Sequence, residues 1–269
     1  MIPLWRRLRL PPPHSEASGG KLSLKDNEVY SGIIVPRLPC FVRLDGWKFH
    51  GLSTALGLEH PFDRFFAESM VAVARRLMER FDAALGYVFS DEINLLFLKR
   101  PGFERVEKID SVFAGLASSL LSARLAEEKE RMPELAFDCR VIPVEEGDIR
   151  KYLIWRQAEA WRNCCNALAY WALRAEGLGA AEATKKLEGL GAKRLRALAR
   201  RKGGGKPEPW QERGVVLHWE RFKKAGFDPI KGKAVLAERR RVKEEWEPPL
   251  FAGKQGKAFI ERMLREASR

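Results

Sequence analysis

The chain has 269 residues, 45% of them hydrophobic and 32% charged, with 49 Lys and Arg against 36 Asp and Glu, a net charge of +13. That length suits one sizeable core with a smaller appended unit, the composition is too apolar for a disordered polymer, and no run approaches the roughly 18 to 20 apolar residues of a membrane span. The positive excess suits a polyanionic partner, because each neutralised phosphate releases counterions.

Residues 1–28 open with MIPLWRRLRLPPPHSEASGG, basic and proline-rich, without the apolar stretch and cleavage site of a secretory signal. They read as a loosely ordered extension. A β-like run follows from Cys40 to Leu44 and ends at Asp45-Gly46. From Pro61 to about Asp82 the residues Phe62, Phe65, Phe66, Met70, Val73, Leu77 and Phe81 recur at helical spacing. Two apolar runs, Leu85–Phe89 and Ile93–Leu98, flank the polar break Ser90-Asp91-Glu92 and predict a β-hairpin. A helix over Lys108–Leu125 and a strand over Phe137–Val144 complete a β-α-β-β-α-β order. That is the ferredoxin-like split motif: an α+β antiparallel sheet with helices on one face.

After Gly147 the character changes to a helical appendage. Asp148–Glu176 reads as one long helix, followed by Ala180–Leu190, Ala192–Lys202, a strand at Val215–Trp219 and a helix near Ala258–Glu266. The division is thus a palm-like catalytic domain over 29–147 and a mainly helical region over 148–269. The cysteines, Cys40, Cys139, Cys164 and Cys165, form no CxxC pair and read as reduced, buried side chains of a cytoplasmic protein.

The chemistry follows from topology. In a ferredoxin-like sheet the first and third strands are neighbours and antiparallel, so Asp45 at the end of one meets Asp91 and Glu92 at the start of the other. Carboxylates converging there can hold two Mg²⁺ ions roughly 3.5–4 Å apart for in-line phosphoryl displacement. Taken singly, Asp-Gly after a strand and Ser-Asp-Glu at a hairpin tip are also ordinary turn chemistry.

The segment Arg43-Leu44-Asp45-Gly46-Trp47-Lys48-Phe49-His50 resembles the RxDGxxFH signature of the tRNA-His guanylyltransferase family, and Ser90-Asp91-Glu92 matches its SDE. Arg105-x-x-Lys108-x-x-Ser111, Phe137-Asp138-x-Arg140, Trp155-Arg156-Gln157-Ala158-Glu159 and Pro207–Gly214 follow in the family's order. The resemblance runs from about residue 29 to 220 and is closest to archaeal-type members. It implies a polymerase-like palm that extends RNA in the 3′ to 5′ direction, adding a guanylate to the 5′ end of tRNA-His. ATP adenylylates the 5′-phosphate, the GTP 3′-hydroxyl attacks it, and pyrophosphate is removed. Repair of 5′-truncated tRNAs uses the same centre, and a non-catalytic RNA-binding sheet is the other reading. A tetramer, or a dimer, is the implied assembly.

Carried over residue by residue, the resemblance assigns metal binding to Asp45, Gly46 and Asp91, with Glu92 in support. Nucleotide binding falls to Trp47, Lys48, Phe49, His50, His60, Asp63, Ser90, Arg105, Lys108 and Ser111. Arg140, Arg156, Gln157, Asn163, Lys193, Arg194, Arg196, Arg200, Arg201 and Arg213 are candidates for the tRNA. Three departures stand out: His60 replaces the lysine of the family's KPND segment, Trp161–Asn166 replaces its HINNLYN, and only Lys193 survives of a lysine-rich segment.

Two features stand apart from the resemblance. Arg156, Glu159, Asn163 and Asn166 form one polar stripe at helical spacing, a surface for phosphates or for solvent. Seven Lys or Arg and no acid lie between Lys193 and Lys206, a basic helix running into glycines and a candidate backbone clamp. Trp155 and Trp171 read as core.

Overall fold

Period-two burial along β1 (Cys40–Gly46) puts Val42 and Leu44 on one side of a sheet and Phe41 on the other, and both sides turn out to be covered. The structure, a computed structural model, describes residues 28–129, 132–202, 205–228 and 232–268. The extension expected before Glu28 lies outside the described residues. After β1 come α1 (Phe49–Ala55), α2 (Arg64–Phe81), β2 (Leu85–Phe89), β3 (Glu92–Phe97), α3 (Val106–Lys129) and β4 (Phe137–Pro143). The second half holds α4 (Ile149–Ala175), α5 (Ala180–Leu187), α6 (Ala192–Arg201), α7 (Pro209–Arg213), β5 (Val215–Asp228), β6 (Lys233–Glu245) and α8 (Lys254–Ser268).

The expected β-α-β-β-α-β order is present, and β1 pairs antiparallel with both β3 and β4. The sheet has six strands in the order β4-β1-β3-β2-β5-β6. β5 joins β2 through only four register pairs, Leu85↔His218 to Val88↔Val215. Beyond Trp219 it continues with β6 as a two-stranded ribbon.

On one face, α2 inserts Met70, Val73, Ala74, Leu77 and Met78 beside the Ile109, Phe113, Ala117, Leu121 and Leu125 stripe of α3. Each of these buried side chains larger than alanine contributes about 1.5–3 kcal/mol. α3 is apolar enough in composition to span a bilayer, but this stripe is buried against the sheet and α2. The other face, expected bare, is covered by α4 and α8: Tyr152 stacks on Phe41 with centroids 3.9 Å apart, and Phe259, Ile260 and Met263 join the same cluster. An alternating strand buried on one side only would show polar residues on the other; β2 reads LGYVF and is buried throughout, as a doubly covered strand must be.

The region 148–269 is therefore not only helical, since it contributes the two longest strands of the sheet. Its helical part has a core of its own, where Cys164, Cys165 and Leu168 of α4 meet Ala183, Leu187, Leu195 and Ala199 of α5 and α6. All four cysteines are free. Trp155, read as core, is instead exposed.

Candidate active site

The β1–β3 register sets Asp45 opposite Glu92, and the β1–β4 register sets it opposite Asp138. Gly46 N–H donates to the Asp91 carbonyl at 3.1 Å, fastening the end of β1 to the β2–β3 turn. In that turn Ser90 has φ of 49°, and its hydroxyl donates to Asp91 Oδ1 at 3.1 Å. Gly46 is required by close approach, because a Cβ there would stand 2.5 Å from the Phe49 ring. The junction thus brings Asp45 and Asp91 together, as the topology predicts.

Their environment disfavours bare negative charge. Burial, then repulsion from Asp45, pushes the Asp91 carboxyl up to about 6. Asp45 is raised by burial and by Asp138, against the pull of Arg43, Arg140 and Arg156. Among the described residues no three His, Cys, Asp or Glu side chains are grouped to hold a metal by themselves. Two aspartates and the Gly46 carbonyl are nonetheless hard oxygen donors, the kind Mg²⁺ takes alongside substrate phosphates and water.

Glu92 has a different setting. Arg156 grips it with Nε at 2.8 Å from Oε1 and a terminal nitrogen at 2.5 Å from Oε2, both side chains nearly fully buried. Asn94 donates to the same Oε1 at 2.8 Å, and Tyr152 donates to Asn94 Oδ1 at 2.6 Å. Burial pushes the Glu92 carboxyl up while the Arg156 guanidinium opposes that rise. Its oxygens face this network, so Glu92 anchors the turn that carries Asp91.

Asp91 and Ser90 line a cleft of about 800 Å³ between the α1–α2 segment, α4 and α7. That volume lies within the range of small-ligand sites. His60 lies on the rim, stacked on Trp171 at 3.8 Å and 14°. Asp63, expected to bind the nucleotide, spends both oxygens on the backbone: Phe66 N–H at 2.7 Å and Glu59 N–H at 2.9 Å. It is the N-cap of α2 and holds the cleft loop in shape. Phe49 is a buried wall, in edge contact with Phe137 and Phe66.

Other predicted site residues divide sharply. Trp47 is exposed with Lys48 Nζ 4.5 Å above its ring, while the side chain of His50 lies outside the described residues. Arg105, Lys108 and Ser111 do not join the carboxylates within this chain. They flank the start of α3, beside the Cys40–Phe97 end of the sheet, about 17 Å along the strands from Asp45. Arg156 and Gln157, expected to meet tRNA, are buried. Gln157 instead accepts from Phe251 N–H at 2.8 Å and donates to the Pro249 carbonyl at 3.2 Å.

Asn163 lines the cleft, Arg140 pairs with Asp138 at 3.1 Å on the surface of β4, and Lys193, Arg194, Arg200 and Arg201 are exposed on α6. Arg196 and Arg213 are engaged with Glu212. Sequence reading missed Asn94, although a lone amide in the apolar strand EINLLF is itself a signal. It named Asp138 within a motif but gave it no role, because its proximity to Asp45 depends on strand pairing.

An α+β sheet with β4-β1-β3-β2 at its heart, two aspartates at one end and a nucleotide-sized cleft beside them defines a palm-like protein. Residues 23–145 match the family described as tRNAHis guanylyltransferase. It is 31% identical over 165 residues to the probable tRNA(His) guanylyltransferase of Drosophila melanogaster, a match spanning 58% of this chain and 57% of that relative. The fold is shared with a bacterial tRNA(His) guanylyltransferase-like protein solved with ATP, at TM-score 0.65 and 24% identity over 86% of this chain and 93% of that one. A second bacterial structure of the same description, in complex with GTP, gives 0.60 and 23% over 86% and 92%.

Proposed function

We propose that the protein is a tRNA-His guanylyltransferase, adding a guanylate to the 5′ end of tRNA-His. The observation that carries this reading is the junction of Asp45 and Asp91 at the mouth of a nucleotide-sized cleft, in a chain whose residues 23–145 match a family named for that reaction. The ATP and GTP held by the similar bacterial structures support both nucleotides as substrates.

In this reading a 5′-phosphate oxygen attacks the α-phosphorus of ATP and pyrophosphate leaves. The 3′-hydroxyl of GTP then attacks the activated 5′ phosphorus and AMP leaves, after which pyrophosphate is removed from the new end. Asp45, Asp91 and the Gly46 carbonyl would hold two Mg²⁺ ions, whose chemistry is to activate the attacking oxygen and neutralise the phosphates. Glu92, locked by Arg156 and Asn94, keeps the Asp91 turn in register with β1. Asp63 shapes the cleft loop, and the His60–Trp171 stack closes its rim. The exposed cations of α6 suit the tRNA backbone, whose neutralised phosphates release counterions and make binding salt-dependent. Assembly as a tetramer or dimer, a cytoplasmic location and a division near residue 147 belong to the same proposal.

The test uses the full chain with Mg²⁺, ATP and labelled GTP, and two RNAs: full-length 5′-monophosphorylated tRNA-His and a tRNA lacking its first nucleotide. Label entering RNA with wild type and not with Asp91→Ala supports the enzyme, and the preferred RNA separates guanylate addition from end repair. A native-gel shift without incorporation would leave an RNA-binding sheet and end the polymerase reading.

A further inference from the structure

Trp155 is 52% exposed, an open indole on a helix whose neighbouring Tyr152 and Leu153 are buried against the sheet. It is set among cations. The Arg156 guanidinium lies 4.4 Å from its ring and that of Arg43 5.8 Å, while Tyr152 supports its edge at 5.7 Å. Arg43 Nε is buried without a hydrogen-bond partner. The β1–β4 register places Arg43 opposite Arg140, two residues before Asp45 and on the same side of the sheet. Trp47, 59% exposed, and Lys48 extend this surface past the end of β1.

The helix α4 therefore serves two surfaces. Ala160, Asn163 and Cys164 face the enclosed cleft with Asp91. Trp155, about 12 Å earlier along the axis from Asn163, faces the open side with Arg43 and Arg140. Asp45 stands between them, next to the Asp91 turn and two residues from Arg43.

We propose that Trp155, flanked by Arg43 and Arg140, is a stacking platform for the unpaired 5′-terminal base of the acceptor RNA, the guanidinium groups meeting its phosphate. The inference rests on the nucleotidyl-transfer reading and assigns the polynucleotide end to one side of the carboxylates and the free nucleotide to the other. An open indole covers one ring face only. Stacking of that kind changes affinity roughly 10- to 100-fold. That is too little to hold a mononucleotide, yet sufficient to register the end of a polymer whose backbone is bound elsewhere. RNA ends with splayed bases are recognised in this way, on aromatic rings and guanidinium planes.

The experiment uses the full chain and a 5′-monophosphorylated acceptor-stem hairpin whose unpaired terminal base is 2-aminopurine, whose fluorescence is quenched on stacking. Trp155→Ala, Trp155→Phe and Arg43→Gln are compared with wild type for quenching, for kcat and KM of guanylate addition, and for sedimentation. Expected are a quench in wild type that Trp155→Ala loses and Trp155→Phe largely restores, and a KM for RNA raised roughly 10- to 100-fold in Trp155→Ala with KM for GTP unchanged. Arg43→Gln should raise the same KM. Quenching and KM unchanged in Trp155→Ala overturn the platform. So does a fall in kcat alone without rescue by Phe, which would make the indole a shield over Arg156 and Glu92. A smaller sedimenting species with unchanged RNA affinity would likewise overturn it, as a contact between subunits. Quenching needs no turnover, so it decides the platform even if wild type transfers no guanylate, a result that would sink the enzyme reading instead.

Discussion

Arg156 on α4 and Glu92 on β3 face each other as a two-pronged ion pair at the centre of the molecule, 64 residues apart in sequence. Removing one partner of such a buried pair leaves an uncompensated charge, at a cost of about 3–5 kcal/mol. Arg156→Ala should therefore lower stability to urea by that amount and release the Asp91 turn, with guanylate addition lost. A loss below about 1 kcal/mol would mean the pair is wet in solution and does not anchor the turn.

Asp91 illustrates how a buried carboxyl is held against the stability of the fold. Its folded pKa, about 6, lies above the ordinary value of 3.8, so folding disfavours the charged form. The penalty is complete above pH 6 and disappears below pH 4, as both states become protonated. Asp91→Asn should accordingly raise Tm at pH 8, by about 2–4 °C per kcal/mol recovered. That gain should shrink as pH falls from 6 to 4. Mg²⁺ should raise Tm of wild type and not of the variant. A variant no more stable than wild type at pH 8 would contradict the strain assigned to this carboxyl.

Asp63 separates a cap from a base-reading residue. Asp63→Ala should destabilise by about 1 kcal/mol and weaken GTP binding through the loosened cleft loop. Asp63→Ser, competent as a cap but without the charge, should keep most of both. Nucleotide selectivity that changes in the Ser variant at unchanged stability would restore direct reading of the base.

The exposed row on α6 makes a prediction about salt. Replacing Lys193, Arg194, Arg200 and Arg201 by Gln should weaken tRNA binding and flatten log K against log salt by about 0.7–0.9 for each phosphate that is no longer neutralised. Titration of labelled tRNA at several NaCl concentrations measures this. An unchanged slope would show that α6 faces away from the RNA.

Much of the site was legible because topology and register are coupled. Once Cys40–Leu44 and Ile93–Leu98 are antiparallel neighbours, Asp45 must meet the Ser90–Glu92 turn. The burial of Arg156 and Gln157 was not legible, since polar residues at helical spacing look the same whether they face water or a buried carboxylate. Glu92 and the Pro249–Phe251 segment decide the matter, and each lies far away in sequence. Trp155 went wrong in the opposite sense: an indole is read as core by its size, and only the geometry of α4 turns it outward. The strand Lys233–Glu245 escaped because its C-terminal run AERRRVKEE is mostly charged and lacks alternation, and as an edge strand it has only one neighbour to pair with.

That last strand has a bearing on colloidal behaviour. β6 closes the sheet on one side and leaves a row of unpaired backbone donors and acceptors, a template on which further strands could add. Arg239, Arg240, Arg241 and Lys243 cluster in the middle of that margin, so an incoming copy would meet like charge there. The same cations that give the chain its basic character act there as gatekeepers, keeping an open β-edge from seeding fibrils.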